Sequence, residues 1–222
     1  MLRTAVAACA LAACTLAARP AAAGDGERPE TGHLVLAGAA MAVPTYFLNI
    51  AIHEGTHAIT AKAYGAQIVR MSLLPGRHPD SGKFYLGYVQ YRGKLSLRQR
   101  TVFYLSPKFP DLVALGAYAA LVGFDALPDN HYGQLALAVL ATGFWVDFAK
   151  DAVVFWSDTD VSIAMDQHDL DTFWQRLPWR LLHAGVSVAG AYVVYQGYRR
   201  VFDDGDIDAT AALITPVWQG TF

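Results

Sequence analysis

The chain is poor in charge. Asp, Glu, Lys and Arg make up 16% of its 222 residues, against about 25% in ordinary soluble domains. Set beside a hydrophobic content of 54%, this excludes the balance of a typical soluble protein and points to a chain that meets lipid. Cysteine is almost missing. The two present, Cys9 and Cys14, lie in the N-terminal apolar segment, which excludes a disulfide framework and a Cys-based zinc site, so any metal must use His and carboxylate. There is no basic surplus either: the net charge is −2 and no RNA- or DNA-binding motif appears, so nucleic acid is set aside as a partner. A series of alternating ten-residue segments is also lacking, so the terminal Phe222 does not mark an outer-membrane barrel.

What is present is a set of long apolar runs. Residues 1–23 read as an export signal or first apolar helix, with Arg3 as the positive start, Thr4 to Ala18 as the apolar run and Ala21 to Ala23 as a small-residue cleavage region. Leu11-Ala12-Ala13-Cys14 offers a second reading, as a lipoprotein processing site. Residues 24–32 form a polar linker. A first spanning helix is expected from about His33 to Tyr64, with Pro44 inside it and Gly65 as its stop. The segments Ile68 to Leu74 and Phe84 to Tyr91, parted by a turn-rich stretch, read as a β-hairpin. Further apolar stretches run from Asp111 to Phe124 (extending back to about Thr101), from Tyr132 to Trp156 and from Leu181 to Tyr198, each near the ~20 residues a span requires. The expected fold is therefore mainly α, a polytopic membrane bundle of about four spans over residues 33–200, with a small β-hairpin between the first two and an acidic tail at 201–222.

Nine of the seventeen Lys and Arg residues fall between Lys62 and Lys108, where Asp80 is the only acid. By the positive-inside rule that segment is cytoplasmic, in what reads as a bacterial inner membrane. Arg199-Arg200, after the last span, falls on the outer side against the rule.

The first apolar run, twenty residues from His33 to Ile52 without Asp, Glu, Lys or Arg, ends in His53-Glu54-Gly55-Thr56-His57. On a helix, residues four apart share a face, so both imidazoles of this HExxH pattern can reach one metal ion while Glu54 points beside it. The chemistry of the pattern makes His53 and His57 zinc ligands and Glu54 the base toward a water whose pKa the metal lowers to about 7. A bland reading, a helix that merely carries polar groups, must explain ionisable residues that each cost roughly 2.5–3.5 kcal/mol within a membrane helix.

The stretch from His53 to Ala66, with its HExxH, Ala58, Lys62 and the helix-ending Gly65, resembles the site-2 protease family of intramembrane zinc metalloproteases. The hairpin after the motif matches that family's layout. Ser106-Pro107-Lys108-Phe109-Pro110-Asp111 falls where the family has a Gly-Pro-x-x-Asn segment, with Ser and Asp as replacements. The resemblance covers roughly residues 33–165 and implies a zinc-dependent endopeptidase acting on membrane-protein or peptide substrates in the bilayer. It also implies an Asp as third ligand, held by the family in a Leu-Asp-Gly segment that this chain lacks. Asp160, then Asp158, both just after the apolar run ending in Trp156, are the nearest counterparts. Either could instead be a helix N-cap. Asp147 and Asp151 are further candidates, with an internally paired cluster around Lys150 as the competing reading.

Asn49, one turn before His53, could serve the substrate or bond a neighbouring helix. His33, His78, His131, His168 and His183 have no ligand-like partner at helical spacing and read as interfacial or surface residues. Two alternatives to a protease stand beside it: a non-catalytic membrane protein of the same fold that binds metal or a partner, and a lipid-anchored or periplasmic structural protein, which would require processing at Cys14.

Overall fold

A computed structural model describes residues 29–79, 82–153 and 159–202. The signal segment with Cys14, residue Asp158 and the tail from Asp203 onward lie outside them. In chain order the elements are α1 (Thr31–Ala63), β1 (Gln67–Ser72), β2 (Gly76–Arg77), β3 (Phe84–Tyr85), β4 (Tyr88–Arg92), α2 (Leu97–Leu105), α3 (Lys108–Gly123), α4 (His131–Val153), α5 (Asp160–Asp166) and α6 (Phe173–Phe202). The chain is thus mainly helical with a small antiparallel sheet.

Helix α1 absorbs Pro44 and the whole HExxH motif. It stops where the sequence says it should: Gly65 turns into the left-handed region at φ 81°. Its N–H then bonds to Lys62 O, and the Ala66 N–H reaches Ala61 O at 2.9 Å, the paired bonds that close a helix C-terminus on glycine. The chain next runs out along β1 and returns along β4, which pair antiparallel with an irregularity between Ile68 and Arg70. The arm continues as the β2–β3 pair toward the turn.

The expected extension of the second apolar stretch back to Thr101 is not one helix but two. Pro107 has no N–H to give and its ring crowds the preceding turn, so α2 closes at Leu105 and α3 starts anew at Lys108. Helix α2 opens on a reciprocal cap, with the Ser96 hydroxyl accepting from Gln99 N–H and the Gln99 side chain accepting from Ser96 N–H.

Helix α4 lies at the centre, packing against α1, α3 and α6 around Leu34, Leu115, Leu135, Phe144, Val194 and Tyr198. The cross-contacts give the helix directions. Along α1 and α4, Asn49 meets Gly143 and His53 meets Asp147, so these two run parallel. Along α4 and α6, His183 donates to Phe148 O, Trp145 to Ser187 O and His131 to Val201 O at 2.7–2.9 Å, so these two run antiparallel. Helix α3 follows α6, with Leu115 near Gly190 and Tyr118 against Gly197. Each interhelical hydrogen bond of this kind contributes about 0.6–2 kcal/mol in an apolar setting.

By length and composition, α1 and the His131–Ala152 part of α4 can cross a membrane. Helix α3, at 16 residues, spans about 24 Å, and α6 carries Arg176, Arg180, Arg199 and Arg200 along its length. Arg200 pairs with Asp125, which sits in the left-handed region at the end of α3.

Candidate metal centre

Helix α1 presents His53 and His57 on one face, with ring centroids 5.0 Å apart. Helix α5 brings Asp160 to them: its Oδ2 lies 3.0 Å from His53 Nε2 and 3.3 Å from His57 Nε2. The three ligand atoms fall within 4.8 Å of one another, a cluster that could hold a metal ion. Asp160 is not a helix cap. That task falls to Thr159, whose hydroxyl accepts from Ser162 N–H, so the Asp160 carboxylate is left to face the histidines. Burial alone would raise the Asp160 carboxyl, but the imidazoles of His53 and His57, when they carry a proton on Nε2, outweigh it and hold it well below the usual carboxylate range.

The outer edges of the two rings are also occupied. His57 donates from Nδ1 to Phe103 O at 2.8 Å. That carbonyl is available because the residue four positions on is Pro107, which cannot offer the helical N–H; the Ser106 hydroxyl takes the other lone pair at 2.8 Å. His53 Nδ1 lies 2.6 Å from Asp147 Oδ2, and the other Asp147 oxygen accepts from Lys150. A carbonyl and an ionised carboxylate can only accept, so both rings carry a proton on Nδ1. In the neutral imidazole, Nε2 is then an acceptor. With both rings neutral, two such nitrogens and the Asp160 carboxylate converge on one point as three acceptors, an arrangement that could hold a cation. Without a cation, a proton on Nε2 must take its place and charge a ring in a buried site. A single dication satisfies all three, and a donor set of two imidazoles and one carboxylate with hydrogen-bonded outer edges fits one.

Glu54 stands outside the ligand cluster, as a helix requires of the residue next to His53. It is 6% exposed, and its Oε2 has no hydrogen-bond partner among the described residues. An unpaired buried carboxylate oxygen costs stability. The turn between β3 and β4 lies directly on it: a Cβ placed on Gly87 would come within 2.9 Å of Glu54 Cγ and 2.8 Å of Ile50 Cγ2. Only glycine fits there.

Asp147 and Asp151, the alternative ligands, belong to an ion network behind the site. Lys108, at the start of α3, lies 3.0 Å from Asp151 Oδ2 and 3.9 Å from Asp111 Oδ2. Its ammonium also donates to Asp147 O at 2.6 Å. The paired-cluster reading of Asp147 with Lys150 therefore matches the geometry, with Lys108 as an added cation. Asn49 fits its side chain into the notch left by Gly143 on α4. The remaining histidines stay outside the cluster, although His131 and His183 join helices rather than sit idle at the surface.

Lys108, Gly87 and the Phe103 carbonyl were not singled out by the sequence. Only the last left a trace there, in the proline four residues on. A comparison of the chain with family models, with curated proteins and with solved structures found no match to any of them, so the functional reading rests on this geometry.

Proposed function

We propose that the protein is a membrane-embedded zinc metallopeptidase that hydrolyses peptide bonds of membrane proteins, in the manner of the site-2 proteases its HExxH segment resembles. The observation that carries this reading is the convergence of His53 Nε2, His57 Nε2 and Asp160 Oδ2 with the partnerless Oε2 of Glu54 beside them. His53, His57 and Asp160 would hold the zinc, with Asp158 as the other sequence candidate. Zinc, when bound, supplies Lewis acidity toward the scissile carbonyl and makes water more acidic. Glu54 takes a proton from the attacking water at its carboxylate and returns it to the departing amine as the C–N bond breaks. The basic segment from Lys62 to Lys108 suits a site at the cytoplasmic face. The alternating directions of α1, α3, α4 and α6 support a four-span arrangement in a bacterial inner membrane. Apolar side chains left uncovered on α1 and α6, among them Leu36, Ile59, Leu181 and Val188, suit contact with lipid.

The test is the zinc content of detergent-purified wild type beside His57→Ala, read by elemental mass spectrometry, followed by cleavage assays with Glu54→Gln. About one zinc per chain, lost in His57→Ala, with Glu54→Gln keeping zinc but losing cleavage, is the expected result. A folded wild type without zinc refutes the reading. The seat of the β3–β4 turn on Glu54 favours a second reading, a metal-binding membrane protein without proteolysis. Zinc retained with no cleavage of any membrane substrate in either form would select it.

A further inference from the structure

We propose that Asp147 is a positioning residue for the metal centre, a carboxylate on α4 that orients His53 on α1 and makes the two histidine ligands unequal. The inference rests on the metal reading above and adds to it. His53 and Asp147 are 94 positions apart in the chain, yet Nδ1 and Oδ2 meet at 2.6 Å, with side chains only 11% and 15% exposed. Both carboxylate oxygens are committed: one faces His53, the other accepts from Lys150. The backbone of the same residue is held as well, since Lys108 donates to Asp147 O from α3 while pairing with Asp151 one turn on.

The carboxylate therefore cannot swing, and the ring it faces can present only Nε2 to the ligand cluster. His57 is held differently, by the neutral carbonyl of Phe103. A carboxylate partner raises the basicity of an imidazole ligand more than a carbonyl does, so His53 is the stronger donor of the pair. Its strength is set by a helix that contributes no ligand.

The experiment titrates purified wild type, Asp147→Ala, Asp147→Asn and His57→Ala in detergent with Co2+, following its visible absorption, and then measures Zn2+ affinity by chelator competition. Thermal unfolding of each metal-free form is recorded alongside. Outer partners of ligating histidines are worth about 10–100-fold in metal affinity, and Asp147→Ala is expected to raise the Kd by that factor without changing the number of sites. Asp147→Asn, whose amide oxygen can still accept from Nδ1–H, is expected to recover part of the loss. Asp147→Ala binding Co2+ with the wild-type Kd overturns the inference. So does a loss in both variants that follows their unfolding temperatures with no recovery by Asn. If Asp147→Ala fails to fold, Asp147→Asn decides alone: a weakened Kd in a protein that unfolds like wild type supports the role, and an unchanged Kd overturns it. Failure of the underlying reading looks different, because wild type and His57→Ala would then bind Co2+ equally or not at all.

Discussion

Replacing Lys108 with Met would strand the Asp151 carboxylate in the interior. The Lys108 and Asp151 side chains are 8% and 0% exposed and their charged atoms are 3.0 Å apart, while Asp111, 3% exposed, lies 3.9 Å from the same ammonium. Neither oxygen of Asp151 has a hydrogen-bond partner among the described residues, so this cation is their compensation. Removing one partner of a buried pair costs about 3–5 kcal/mol, because the other charge stays behind. In a chain of this size each kcal/mol corresponds to about 2–4 °C in the unfolding midpoint, so Lys108→Met should unfold some ~6–20 °C below wild type. The double variant Lys108→Met with Asp151→Leu removes both charges and fills the volume, and it should recover most of the loss, since apolar replacement of a whole buried pair is often neutral. Circular dichroism of the purified proteins in one detergent reads all three midpoints. A Lys108→Met midpoint within ~2 °C of wild type, or a double variant no better than the single one, would show that water or protons already satisfy Asp151 and would refute the argument.

Two further outcomes are expected. Asp160→Ala should lose tight metal binding, measured as zinc retained through gel filtration, while unchanged zinc would pass the third-ligand role to Asp158, Asp147 or Asp151. Gly87→Ala should cost about 1–3 kcal/mol, because the new methyl overlaps Ile50 and Glu54 and overpacking of this kind forces neighbours to move; an unchanged unfolding midpoint would mean that the β3–β4 turn does not rest on α1 in solution.

Much of this molecule was readable from its sequence, and the failures have physical causes. Helix α1 was legible because an uninterrupted apolar run, a helical-period His pair and Gly65 all agree. The hairpin was legible from its turn residues. The α2–α3 break was missed because the apolar pattern continues through it, and hydropathy is blind to the absent N–H of Pro107; the cap of Ser96 with Gln99 was a readable signal for the start of α2. Helix α6 begins well before its expected apolar core at Leu181, since Phe173 and Trp174 open it ahead of any long apolar run. At the site, His53, Glu54 and His57 are set by spacing within one helix. Placing Asp160 needed the fold, because no local pattern tells a carboxylate that faces the histidines from a cap until Thr159 is seen to do the capping. Lys108 and Asp147 were the least legible, since their meaning lies entirely in contacts between helices.

Asp160 meets His53 from 107 positions further along the chain. A ribosome therefore delivers the histidine pair and its glutamate long before it delivers the carboxylate that completes the cluster. Throughout that interval the nascent protein has Glu54 and two imidazoles but only part of the centre. The cluster that could hold a metal ion is thus complete only once Asp160 has been made and α5 has packed beside α1.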